Sequence, residues 1–201
     1  MKRGLGWLCL AGWLAAPALA RAEDPQPIAT SHKGQFGVHA QMGLGYRVLF
    51  PYHEEFCGIA GKSVCSGRAP FFVELGLSYG VSDSIELLAD VRLGTERDFA
   101  EGAEQGPRAL VVAPGIKVYI DNDGGTKFFS TLQLAIDFTD FAATTSGLED
   151  ATDFGVRNVN GVLFDISKQL GFYFHFGETI GFARWLRFEI DGGLGIQGRF
   201  P

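Results

Sequence analysis

From Gln35 onward the chain alternates apolar and polar residues with a period of two, and almost nowhere shows a helical repeat. The first run sets Phe36, Val38, Ala40, Met42, Leu44, Tyr46, Val48 and Phe50 against His39, Gln41, Gly43, Gly45 and Arg47. The second sets Phe71, Val73, Leu75, Leu77, Tyr79 and Val81 against Phe72, Glu74, Gly76, Ser78 and Gly80. In the third, Ile85, Leu87, Ala89, Val91 and Leu93 oppose Glu86, Leu88, Asp90, Arg92 and Gly94. A fourth carries Leu110, Val112, Pro114, Ile116, Val118 and Ile120 opposite Lys117 and Tyr119, and a fifth carries Phe128, Leu132, Leu134, Ile136 and Phe138 opposite Lys127, Gln133 and Asp137. The sixth is clear only near its end, where Val162, Phe164 and Ile166 oppose Gly161 and Asp165. The seventh has Leu170, Phe172, Phe174 and Phe176 opposite Tyr173 and His175, and the eighth is RFEIDGGLGIQGRFP, Arg187 to Pro201.

Connection lengths arrange these runs. Roughly 20 residues, GTERDFAEGAEQGPR and DFAATTSGLEDATDFG join runs one to two, three to four and five to six. Ser82-Asp83-Ser84, DNDGGT and Ser167-Lys168-Gln169 make the tight joints between them. Only the last connection, around Ala183 to Leu186, is short on the long side. The expected fold is all-β: a single eight-stranded antiparallel up-and-down barrel with long loops at one rim and tight turns at the other. Pro114 has no ladder donor, and a closed barrel has no free edge, so a bulge is expected there.

Alternation leaves open which face is wet. A lipocalin-like soluble barrel would turn the apolar face inward; a transmembrane barrel would turn it toward lipid. The polar faces carry both signs of charge among glycines, at Arg47, Glu74, Glu86, Asp90, Arg92, Lys117, Asp137, Asp165, Glu189, Asp191 and Arg199, with His175 beside them. Glycine relieves crowding inside a barrel only just wide enough for side chains, whereas a soluble outer face gains nothing from it. Aromatics gather at the ends of the apolar stripes, as in the interfacial girdles of membrane barrels. The stripes are also too long for a small closed cavity. Each point favours the transmembrane assignment, with these charges as an interior network. Asn158, Asn160 and Glu178 then fall on the lipid side, which is tolerable if those strands project above the bilayer or shift register.

The N-terminus changes the picture by adding an address. Lys2 and Arg3 precede an apolar stretch from Leu5 to about Ala16, followed by the small-residue sites Ala18-Leu19-Ala20 and Ala20-Arg21-Ala22. This is a secretory signal peptide over residues 1–22, with Ala20 and Ala22 marking cleavage and the cut favoured before Glu23. A short segment 23–34 precedes the barrel at 35–200. Loss of the three cations Lys2, Arg3 and Arg21 takes the formal charge from −6 to −9, which argues against a nucleic-acid partner. Cys57 and Cys65 remain in a chain bound for an oxidising compartment and are expected to form a disulfide. A metal site with His53, Glu54 and Glu55 is the alternative, although the spacing matches no familiar zinc pattern.

The final run, with Phe188, Ile190, Leu194, Ile196 and Phe200 in alternation and Pro201 one residue beyond the aromatic, resembles the C-terminal assembly signal of bacterial outer-membrane β-barrel proteins. From Gln35 to Phe200 the chain looks like the small eight-stranded barrels of the OmpA, OmpX and OmpW kind. That resemblance implies an outer-membrane location with periplasmic termini. It also implies contact with outer-membrane lipid and lipopolysaccharide, handling by the barrel assembly machinery, and a monomer. No cofactor or metal is expected. A lipid A-modifying enzyme would need serine, histidine and an acid near the outer rim. His175 has no serine beside it and Asp83-Ser84 sits in a tight turn, so catalysis is not expected. The expected role is structural or interactive, with a polar sealed interior and outer loops made acidic by Glu96, Asp98, Glu101, Glu104, Asp140, Glu149, Asp150 and Asp153. Those loops also suit a divalent cation or a surface partner. A narrow channel for small solutes, including apolar ones, is the competing function.

Overall fold

A strand with one apolar and one polar face must bury one and solvate the other, and closing the sheet into a cylinder does both without leaving an edge. The computed structural model of this chain, which describes residues 31–51, 64–95, 108–122, 125–138, 152–183 and 185–201, shows such closure. Its strands are β1 (Phe36–Pro51), β2 (Cys65–Gly80), β3 (Ile85–Thr95), β4 (Arg108–Asn122), β5 (Thr126–Asp137), β6 (Asp153–Asp165), β7 (Leu170–Gly181) and β8 (Trp185–Phe200). Each pairs antiparallel with its sequence neighbour, and β1 closes the ring on β8.

The register fixes the barrel's dimensions. Following paired residues from Phe36 through Tyr79, Leu87, Ile116, Leu132, Asn158, Glu178 and Ile190 leads back to β1 at Tyr46, ten residues beyond the start. With ordinary strand spacings that stagger tilts the strands by about 40°, so each residue climbs roughly 2.5 Å along the axis and each pairing step roughly 3 Å. Most of the outward aromatics then fall into two rings. Phe36, Tyr79, Phe128, Phe164, Phe172 and Phe200 circle the turn end, and Tyr46, Phe71, Phe138, Phe154, Phe182 and Phe188 circle the loop end. The rings lie about 25 Å apart, the height of the apolar band of membrane barrels. Between them the outer wall is mostly Val, Leu, Ile and Phe, exposed or half-buried, while every buried charged side chain points inward.

Three local expectations are corrected. β2 begins at Cys65, before its apolar alternation starts, because ladder bonds are made by backbone and need no apolar side chain; Leu49 pairs with Cys65. β6 likewise begins at Asp153. At Pro114 there is no bulge: the β4–β5 ladder skips Ala113 and Pro114 and resumes in the same register at Gly115 and Gln133, while Pro114 keeps its place opposite Ala89. The Gln133 side-chain amide donates to the Ala113 carbonyl at 3.1 Å, supplying a bond beside the gap. The register does shift in the ring between Gly43 and Gly45, where β1 meets β2.

Candidate functional site

Inside a barrel this narrow, side chains from opposite walls must meet, and bulky groups need bare backbone across from them. Added Cβ atoms at Gly161 and Gly195 would lie within 2.4 Å of the Phe129 and Tyr173 rings, and one at Gly76 would collide with His39 and Asp90. The glycines on the polar faces are therefore the room that the large interior side chains occupy.

At the turn end, residues Ser31–Gln35 fold into the barrel mouth. Gly34, at φ +76°, makes the turn; its amide donates to Gly80 O at 2.8 Å, and Gly80 donates back to Gln35 O. This carries His32 inside, fully buried, with Nδ1 2.5 Å from Glu86 and Nε2 2.8 Å from Lys127 Nζ. Lys127 can only donate, so Nε2 accepts and Nδ1 holds the proton toward Glu86. Burial holds the His32 imidazole below its ordinary pKa, against the raising effect of Glu86. Lys127 and Arg199 both bind Asp165, at 2.9 and 3.1 Å, which closes the floor.

Above this floor lies an aromatic layer of Tyr119, Phe129 and Tyr173 with Val159 and Leu163. Lys117 makes no ion pair among the described residues; its ammonium lies 5.1 Å from the Phe129 ring and 5.7 and 5.8 Å from those of Tyr119 and Tyr173. Beside it a cavity of about 10 Å³ is bounded by His39, Glu74, Asp90 and Gln133, among others. That is room for at most one water. His39 Nε2 lies 2.7 Å from Asp90, Gln133 donates to Asp90 at 2.6 Å, and Gln41 donates to Glu74.

The upper half is held by Arg92. Its guanidinium donates to Glu74 at 2.9 Å, Glu189 at 2.9 Å and Asp191 at 3.0 Å, and stacks 3.7 Å from the Phe72 ring centroid. Arg157 reaches Glu74 at 2.8 Å, Arg47 reaches Glu189 at 2.5 Å, and His175 lies 3.6 Å from Asp191. Near the loop end Arg187 pairs with Asp137 and lies 3.7 Å from Asp153. Among the described residues seven buried Arg and Lys face eight buried Asp and Glu. Such near-neutrality makes the burial of so many charges tolerable.

Arg47, Glu74, Glu86, Asp90, Arg92, Lys117, Asp137, Asp165, His175, Glu189, Asp191 and Arg199 are all buried in the interior. They form two groups, one around Arg92 and one around Glu86 and Asp165, with Arg187 and Asp137 above. Sequence reasoning put Lys127 on the polar face of the fifth run without adding it to the network, missed His32, gave to an outer loop Asp153, which is buried inside at the start of β6, and passed over Arg157 and Arg187. The last three share the parity of Asp165 and Glu189, so extending the alternation backward along β6 and β8 would have found them. Phe188, Ile190, Leu194, Ile196 and Phe200 face outward. Cys57, Ala20 and Ala22 lie outside the described residues, as does the side chain of Cys65. No group of three His, Cys, Asp or Glu is placed to hold a metal ion among the described residues.

An apolar wall between two aromatic rings, closed around ion pairs, is the arrangement of a transmembrane β-barrel. The chain has the fold of bacterial outer-membrane eight-stranded barrels. It is similar to the N-terminal β-barrel domain of Pseudomonas aeruginosa OprF, with a TM-score of 0.58 at 11% identity, covering 84% of this chain and 98% of that one. Neisserial surface protein A is similar at a TM-score of 0.56 and 11% identity, covering 84% and 100%. Ail, the attachment invasion locus protein of Yersinia pestis, is similar at 0.53 and 12%, covering 84% and 99%. No family model and no curated protein matches the sequence.

Proposed function

We propose that this chain is an exported, non-enzymatic outer-membrane barrel whose lumen is sealed, and whose work is done by the surface it presents outside. On this reading residues 1–22 are removed, both mature termini lie in the periplasm, and the long, acidic connections face outward. The observation that carries it is the Arg92 cluster: three carboxylates from β2 and β8 converge on one guanidinium in mid-lumen, and the cavity beside Lys117 holds no more than a water. A conducting pore needs a continuous wet path, and eight strands leave little width for one. His39 and His175 lie beside Asp90 and Asp191 inside the wall, where a lipid substrate has no access. The acidic connections then suit a cationic or cation-bridged partner at the cell surface. Purified barrel in planar bilayers should give no conductance steps; reproducible steps would refute the sealed lumen. Heat-modifiable gel mobility of the membrane-fraction protein checks the barrel in the same preparation.

A further inference from the structure

Most of the lumen is packed by side chains whose backbone is locked in the ladder, but His32 enters it from the turn Ser31–Gln35. The hold on that turn is short. Apart from the His32 ring it rests on the backbone bonds between Gly34, Gly80 and Gln35, and on the Ser31 hydroxyl, which donates to Asp83 at 2.6 Å. A unit held by so few bonds opens by itself while the barrel stays closed. The imidazole is the anchor, and its surroundings decide when the anchor holds.

Those surroundings are charged. Glu86 on β3 faces Nδ1 at 2.5 Å, Lys127 on β5 faces Nε2 at 2.8 Å, and the Tyr119 ring of β4 stands edge-on with centroids 4.3 Å apart. Burial opposes a charge on the ring first; Arg199 on β8 and Lys127 oppose it as well, and Glu86 favours it. Lys117 is paired beside Glu86 in the ladder, and Asp165 on β6 binds both Lys127 and Arg199. Three cations and two carboxylates thus surround a neutral ring. A proton added at Nε2 would aim two donors into one 2.8 Å gap, because the Lys127 ammonium has only protons to offer. Glu86 cannot offset this in full, since it also accepts from the Tyr119 hydroxyl at 3.1 Å. In water the same ring takes its proton with no such cost.

We propose that the Ser31–Gln35 turn is an acid-released latch on the turn-end mouth of the barrel, with His32 as its anchor and Lys127 as the group that forbids protonation of that anchor in place. Without Lys127 the ring would keep Glu86 at Nδ1, and the Asp165 carboxylate that Lys127 now neutralises would attract the imidazolium rather than leave it facing a cation. Release uncovers Glu86 and the Lys127–Asp165–Arg199 cluster to water, while the Arg92 cluster still blocks the lumen further up. Conductance therefore tests the sealed lumen and leaves the latch to a separate measurement. That this mouth faces the periplasm rests on the orientation proposed above; the chemistry of the latch does not.

The test follows amide exchange and the His32 ring nitrogens by NMR, in isotope-labelled full-length mature barrel held in phospholipid nanodiscs. From pH 7 to pH 5 the Gly34 protection factor, with intrinsic exchange divided out, should fall by up to about 25-fold, the limit for a ring of free pKa about 6.5 that stays neutral when docked. Strand amides should keep their protection. In Lys127→Met the fall should be at least about twofold smaller than in the wild type. A fall closer to the wild type's overturns the role of Lys127, and a wild-type fall of less than about twofold overturns the latch. If Lys127→Met has lost Gly34 protection already at pH 7, the wild-type ring decides. Docked, it should carry its proton on Nδ1 and accept at Nε2; a proton on Nε2 at pH 7 overturns the proposal.

Discussion

Replacing Arg92 by leucine removes the cation that three buried carboxylates share. Around it, Arg47, Arg92 and Arg157 balance Glu74, Glu189 and Asp191, so the substitution leaves two cations against three carboxylates with little water to screen them. Breaking one partner out of a buried pair costs about 3–5 kcal/mol, and the lost stacking on Phe72 adds to it. The same geometry specifies the compensation. With Asp191→Asn added, Arg157–Glu74 at 2.8 Å and Arg47–Glu189 at 2.5 Å remain as two intact pairs. The double variant should therefore recover about 2 kcal/mol relative to Arg92→Leu alone. The assay is reversible urea unfolding of the mature barrel in phospholipid vesicles, followed by fluorescence of Trp185, the only tryptophan after residue 22. A loss below about 1 kcal/mol for Arg92→Leu would mean that the carboxylates are solvated and the lumen open, and the sealed interior would fall with it.

Three further expectations concern the ends of the barrel. A Cβ at Gly80 would lie 1.8 Å from the His32 carbonyl oxygen, so Gly80→Ala should expel the Ser31–Gln35 turn and leave the ladder standing; the Gly34 amide should then exchange about tenfold faster or more, and unchanged exchange refutes the docking. His32 is held in its neutral form, with its docked pKa below the ordinary 6.5 and facing Glu86, Lys127, Arg199 and Tyr119. The undocked turn binds more protons in that window, so docking is at full strength above pH 6.5 and weakens as pH falls toward the docked pKa; the Gly34 protection factor, with the intrinsic pH dependence of exchange divided out, should fall on acidification, and His32→Ala should abolish that dependence. Alkylation of unreduced mature protein should leave Cys57 and Cys65 unmodified, and a mass showing both labelled removes the disulfide.

Much of the barrel was legible because its two solvents demand opposite things. A strand between lipid and a charged lumen must alternate at nearly every position, so parity alone assigned Leu75, Leu77 and Leu93 outward and Glu74, Asp90 and Arg92 inward. Parity carries no information about partners. Nothing in the sequence shows that Arg92 on β3 meets Glu189 and Asp191 on β8, since that follows from the stagger of the closed ladder. It fails too where backbone does the pairing unaided, as at CSGRAP in β2, and where a side chain enters the lumen from outside any strand, as His32 does.

The two departures from the apolar-out rule then separate by physics. Pro114 breaks a backbone preference, and the ladder absorbs it locally by skipping two pairs. Asn158, Asn160 and Glu178 break a solvation preference, and the register does not absorb it: β6 stays in step with β5 and β7, so these side chains remain outward, and Asn158 and Asn160 meet part of their hydrogen bonding through the Thr131 carbonyl and each other. A ladder can close around a missing donor, but it cannot carry one side chain to the other face without carrying the whole strand with it.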